Sequence, residues 1–122
     1  MQVALHLHSI TFDAAQPGKL ADFWASLTGY RVETANEFVA VLTGDGSVGP
    51  RLMFIKVPEG KTAKNRQHVD LGTGDLDSER SRVLGLGAEH VGDYDEYGIT
   101  WSSYRDPEGN EFCIGLHEPP SH

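Results

Sequence analysis

A chain of 122 residues is one domain's worth of polypeptide, and with 39% hydrophobic and 23% charged residues it has the composition of a globular protein. Its formal charge of −8 argues against non-specific nucleic-acid binding, which depends on basic surface, and favours cationic or neutral ligands. No apolar run approaches the roughly 20 residues of a membrane helix, no basic-then-apolar leader opens the chain, and the single cysteine permits no internal disulfide, so the expected address is the cytoplasm.

In chain order, Ser9-Ile-Thr-Phe-Asp-Ala alternates as a strand with Ile10, Phe12 and Ala14 on an apolar face and Ser9, Thr11 and Asp13 opposite. Pro17 to Thr28 is a predicted helix. Leu20, Phe23, Trp24 and Leu27 follow the spacing of a buried stripe, Pro17 suits the first turn, and Gly29 suits the stop. Trp24 therefore belongs to the core. Gly29-Tyr-Arg-Val, Phe38-Val-Ala-Val-Leu and Leu52-Met-Phe-Ile-Lys-Val follow as strands. In the last of these, Met53, Ile55 and Val57 are assigned to one face and Leu52, Phe54 and Lys56 to the other. Pro58 to Arg66, rich in basic residues, reads as a solvated linker.

From Gln67 the same plan begins again, about 59 residues on. His68-Val-Asp-Leu alternates, with Val69 and Leu71 apolar and His68, Asp70 and Gly72 opposite. Asp75 to Leu86 is a weaker helix, capped by Asp75 or Asp77 and stopped by Gly87. Gly87-Ala-Glu-His-Val is a strand, and so is the segment holding Trp101, which shows no clear alternation. After the turn at Asp106-Pro-Glu-Gly-Asn, the last strand sets Phe112, Ile114 and Leu116 against Glu111, Cys113 and Gly115. Residues 1–57 and 67–116 are thus two modules of one domain, joined by 58–66 and followed by a tail, 117–122. Each is strand, helix, then three strands, with the helix over one sheet face. The other face, carrying Ser9, Thr11, Asp13, Phe54, His68, Asp70 and Cys113, is more polar than a core and is the expected place for a ligand.

The strings His68-Val-Asp-Leu, Asp75-Leu-Asp, Leu86-Gly-Ala and Arg105-Asp-Pro-Glu-Gly-Asn-Glu-Phe-Cys, with Asp22-Phe-Trp and Leu27-Thr-Gly-Tyr, resemble the vicinal oxygen chelate superfamily. That superfamily unites glyoxalases, bleomycin-resistance proteins and extradiol dioxygenases, and its small glyoxalase-like branch is the most similar. The resemblance implies an α+β fold of paired βαβββ modules, an open cup of mixed sheet with helices outside, and a homodimer. Metal-dependent members of the family hold a divalent ion with His, Glu or Gln on the first and last strand of each module. Carried onto this chain, those positions are Ser9, Phe54, His68 and Cys113. Phe54 cannot bind a metal and Ser9 is a poor ligand, so the usual hard-ion site is not expected. His68 and Cys113 are the residues for a metal if one binds, in a softer zinc or copper site that Asp13 or Asp70 would have to complete. A one-residue slip would bring His8 into the cup, but it would also turn Ile10 and Phe12 there and bury Thr11 and Asp13, so it is rejected. His6, His90, His117 and His122 are read as surface residues.

Two functions follow from these residues. One is a small-molecule-binding protein of bleomycin-resistance type, with Ser9, Thr11, Asp13, Phe54, Trp101 and Cys113 around the ligand and no cofactor assigned beyond the divalent metal considered above. Phe54, with Trp101 or Tyr104, would stack on a planar group. The other is a lyase or isomerase on an oxygenated substrate, with His68 as acid or base and Asp70 tuning it through charge rather than a direct hydrogen bond. Cys113 is read as an inert thiol.

Overall fold

The structure, a computed structural model, describes residues 7–44, 50–58, 63, 67–96 and 98–116. Most of the linker, together with His6, His117 and His122, lies outside these residues. The chain divides into two compact units, Met1–Gly60 and Lys61–His122. Each holds the same order of elements: β1 (Ser9–Ala14), α1 (Pro17–Thr28), β2 (Arg31–Ala35), β3 (Val39–Thr43) and β4 (Arg51–Lys56) in unit one, then β5 (Val69–Thr73), α2 (Leu76–Gly85), β6 (Glu89–Glu96), β7 (Ile99–Arg105) and β8 (Glu111–Leu116) in unit two. The two sheets are mixed and topologically equivalent, ordered β1-β4-β3-β2 and β5-β8-β7-β6, with the first and last strand of each unit parallel. This is the duplicated βαβββ plan, in an α+β fold.

Unit one is held by an aromatic core under α1. Pro17, Leu20, Ala21, Phe23, Trp24 and Leu27 are its buried residues, and Gly29 closes it in the left-handed region at φ 79°, where its N–H reaches the Ala25 carbonyl. A side chain there would strain the backbone by roughly 1 kcal/mol. Trp24 is fully buried, with the Phe12 ring 5.1 Å away, and Phe12 in turn stacks on Phe54 at 4.9 Å. Ala14, Ala40, Leu42 and Leu52 complete this layer.

The expected faces of β4 are inverted. In the parallel ladder Phe12 is paired with Phe54 and Ile10 with Leu52, while Thr11 is paired with Met53 and Asp13 with Ile55. Phe54 therefore shares the helix-covered face with Phe12, and Met53 and Ile55 stand on the open face with Thr11 and Asp13. The cause is a drift in the repeat: one residue fewer separates Thr11 from Met53 than Asp70 from Cys113, the equivalent pair. A constant period carries Phe54 onto Cys113, and the missing residue reverses the strand's parity. The slip that would admit His8 does not occur, because Phe12 and Ala14 both face the core.

Unit two is built differently beneath its helix. α2 begins at Asp75, whose side chain accepts from the Ser78 backbone N–H at 3.1 Å, but only Val83 of the helix is buried. Phe112, Ile114 and Tyr104 supply the apolar layer, with Tyr104 stacked on Phe112 at 5.6 Å. Beside them is a polar cluster. Asp93 of β6 takes a hydrogen bond from the Ser102 hydroxyl at 2.7 Å, stands 2.9 Å from His90 Nε2, and is paired with Arg80 of α2. Its carboxyl is held down to about 2, first by Ser102 and then by His90, with Arg80 adding to the effect. Ion pairing thus replaces part of the apolar contact that docks the helix in unit one.

Candidate functional site in unit two

The open face of the second sheet follows from its register. Asp70 pairs with Cys113, Ser103 with Cys113, Trp101 with Gly115 and Tyr94 with Trp101, so all five non-glycine side chains point to the face away from α2. Tyr104 pairs with Phe112 and faces the helix. The strand that showed no alternation is resolved by its pairing: the Trp101 side chain stands on the site face and the Tyr104 ring is buried in the core, although both residues border the concavity. A shift in pairing between His90 and Gly92 marks a β-bulge, which adds Val91 to the open face.

Together these residues border an open concavity of about 490 Å³. One wall is aromatic. Tyr94 and Trp101 stack at 5.2 Å with planes 20° apart, and Tyr94 and the neighbouring Ile99 are each about two-fifths exposed. The floor is polar: His68, Asp70, Ser103 and Cys113, with Glu111 nearby. Among the described residues, the lining holds two carboxylates and neither lysine nor arginine. Cations and neutral molecules are favoured there over anions.

His68 and Asp70 are closer than charge coupling alone requires. His68 Nε2 is 3.2 Å from Asp70 Oδ1, with both side chains exposed. His68 immediately precedes β5 and is two residues from Asp70, the spacing that puts both side chains on one side of an extended segment. Cys113 joins them: one ligating atom from each of His68, Asp70 and Cys113 falls within a set no more than 4.8 Å across. The Ser103 hydroxyl is 3.3 Å from the Cys113 sulfur.

The other sequence-derived candidates lie elsewhere. Ser9, Thr11 and Asp13 stand on the open face of the unit-one sheet, paired with Arg51, Met53 and Ile55. Phe54 is withdrawn as a ligand contact, since it is wholly buried between β4 and α1. His90 is an exposed residue of β6, engaged with Asp93, as a surface histidine would be. Tyr94, Ile99, Val91, Ser103 and Glu111 are contributions that sequence reasoning missed. For Tyr94 the signal was weak, because the run Asp93-Tyr-Asp-Glu-Tyr gives no single apolar face.

The sequence model of the glyoxalase-like domain matches residues 9–115, nearly the whole chain. The chain belongs to the glyoxalase-like domain family. Solved structures agree on the fold of this glyoxalase-like protein. A glyoxalase/bleomycin resistance protein/dioxygenase family enzyme from Burkholderia phytofirmans superposes with a TM-score of 0.78 at 13% identity, covering 92% of this chain and 98% of that one. The fosfomycin resistance protein FosX from Listeria monocytogenes, solved as a mutant with Mn(II) and dihydroxypropylphosphonic acid, gives 0.75 at 11% identity, covering 93% and 90%. TioX from Micromonospora gives 0.64 at 20% identity, covering 93% and 99%. The comparison with curated proteins returned no match.

At the positions onto which the resemblance carries the family's metal ligands, each unit offers few donors for a hard ion. In unit one they are Ser9 and, by register, Met53, a hydroxyl and a thioether. In unit two they are His68 and Cys113, an imidazole and a thiol. Mg, Mn and Ca need several oxygen donors; the unit-one pair offers one weak one and the unit-two pair offers none.

Proposed function

We propose that this glyoxalase-like domain is a small-molecule-binding protein of bleomycin-resistance type, which holds a planar, neutral or cationic ligand in the unit-two concavity. The observation carrying this reading is the Tyr94–Trp101 stack on the open sheet face, with Tyr94 exposed and Trp101 half-buried, beside two carboxylates of the lining. Aromatic surface left open to water in a concavity is costly, and a stacked pair gives a flat ligand a low-entropy platform. Asp70 and Glu111 match a positive group on it, and no step of this reading runs through the family's hard metal ion.

The test is equilibrium binding of a panel of planar aromatic cations, ethidium and acridine orange among them. Trp101→Ala removes half the platform and should weaken binding by about tenfold or more, on the order of 1.4 kcal/mol. His68→Ala should retain most of the affinity. Equal affinity of the wild type and Trp101→Ala for every dye that binds would refute the reading.

A second reading is supported by the 3.2 Å approach of His68 to Asp70. The carboxylate orients the imidazole, and His68 serves as acid or base in a lyase or isomerase on an oxygenated substrate. In that case His68→Ala abolishes turnover while Trp101→Ala chiefly raises KM.

We also propose a homodimer. Its support is the family's habit together with large apolar side chains left on the surface, Phe38, Ile99 and Leu116.

A further inference from the structure

The failure of the hard-ion pattern leaves a different donor set in one unit alone. We propose that His68, Asp70 and Cys113 form a three-donor site for a borderline-soft divalent ion of the zinc type, with further coordination open to the concavity. Imidazole nitrogen, carboxylate oxygen and thiolate sulfur are the donors zinc accepts, and three protein ligands with an open position is the arrangement of reactive rather than structural zinc sites. The distances permit it. In a tetrahedral zinc site, neighbouring donors stand roughly 3.3–3.5 Å apart. The His68–Asp70 pair is already at 3.2 Å, and the whole donor set lies within 4.8 Å, close to that spacing.

Two further features fit. All three donors hang from one side of a β5–β8 ladder whose pairing places Asp70 directly beside Cys113, so the sheet preorganises two of them. Ser103, adjacent on β7, has its hydroxyl 3.3 Å from the sulfur and is placed to donate to the thiolate once the ion displaces the thiol proton. Binding is thus an exchange: the metal–sulfur bond forms, the S–H bond breaks, and the proton leaves to solvent. Asp70 is not among the positions carried over from the family, and no donor comes from unit one. Exposure of His68 and Asp70 makes this an accessible site rather than a sealed structural one. The inference rests on these donors and is independent of the aromatic platform.

The experiment is titration of the reduced, chelator-treated full chain with cobalt(II), followed by zinc(II). One equivalent of cobalt should raise a thiolate-to-cobalt charge-transfer band in the near ultraviolet with the visible bands of a four-coordinate ion, and zinc should abolish both by displacement. Cys113→Ser should remove the charge-transfer band, and His68→Ala and Asp70→Ala should each weaken cobalt binding by about tenfold or more. Trp101→Ala should leave the titration unchanged, which separates failure of this site from failure of the ligand reading. Circular dichroism of each variant checks that it is folded. Absence of the band at stoichiometric cobalt, its persistence in Cys113→Ser, or displacement by magnesium as readily as by zinc would each overturn the proposal.

Discussion

Replacing Phe54 by alanine separates a core role from a ligand-binding role. The ring has no exposed surface and lies 4.9 Å from Phe12, which is itself 5.1 Å from the buried Trp24. Truncation removes the apolar transfer energy of a whole aromatic ring and leaves a cavity that Ala40 and Leu42, small or already packed, cannot fill. Such changes cost about 3–5 kcal/mol. Against a total stability of roughly 5–15 kcal/mol, that is a large fraction. For a chain of this size each kcal/mol moves the melting temperature by about 4 °C, so a fall of about 12–20 °C is expected. Thermal and urea melts read by circular dichroism measure it, with Trp101→Ala as the control expected to change stability by no more than about 1 kcal/mol. A Phe54→Ala protein that melts within about 2 °C of the wild type and loses ligand affinity instead would refute the assignment of Phe54 to the core.

Acid should loosen unit two through Asp93. Its carboxyl is held down to about 2 in the folded protein, below the roughly 3.9 of an unfolded aspartate, so its contribution to stability is present above about pH 4 and is lost as the pH falls towards 2. Urea midpoints taken between pH 5 and 2.5 should therefore fall more steeply in the wild type than in Asp93→Asn, and identical slopes would contradict the assignment. Light scattering on a size-exclusion column should give twice the 13.4 kDa of the chain, and a clean monomer would count against the proposed dimer.

Much of the fold was legible because alternation and helical spacing are strong where polar and apolar residues separate. In β8, Phe112 and Ile114 interleave with Glu111 and Cys113, and the faces assigned from sequence are those observed. The limits of α1, from Pro17 to Gly29, were equally plain, since proline and left-handed glycine punctuate it. β4 was illegible for the opposite reason. Leu52, Met53, Phe54 and Ile55 are all apolar, so parity had to be borrowed from the repeat, and the repeat is one residue short there. β7 carries aromatic residues at both parities, Trp101 and Tyr104, and only its pairing with β8 resolves them. The contact between His68 and Asp70, and the polar docking of α2 through Arg80 and Asp93, depend on side-chain placement at a strand entrance and across elements. Two-residue spacing puts His68 and Asp70 on one face but does not fix their contact, and no local pattern encodes the Arg80–Asp93 pair.

The chain has two tryptophans, one in each setting: Trp24 fully buried under unit one's helix, and Trp101 on the open face of unit two. Their indole N–H resonances report separately in a nitrogen–proton NMR titration of the full chain with ethidium. The Trp101 indole and the amides of Tyr94, Ser103 and Cys113 should shift together and saturate, while Trp24, Ala40, Leu42 and Phe54 stay in place. Saturable shifts centred on unit one, with Trp101 unmoved, would contradict a ligand site in the unit-two concavity.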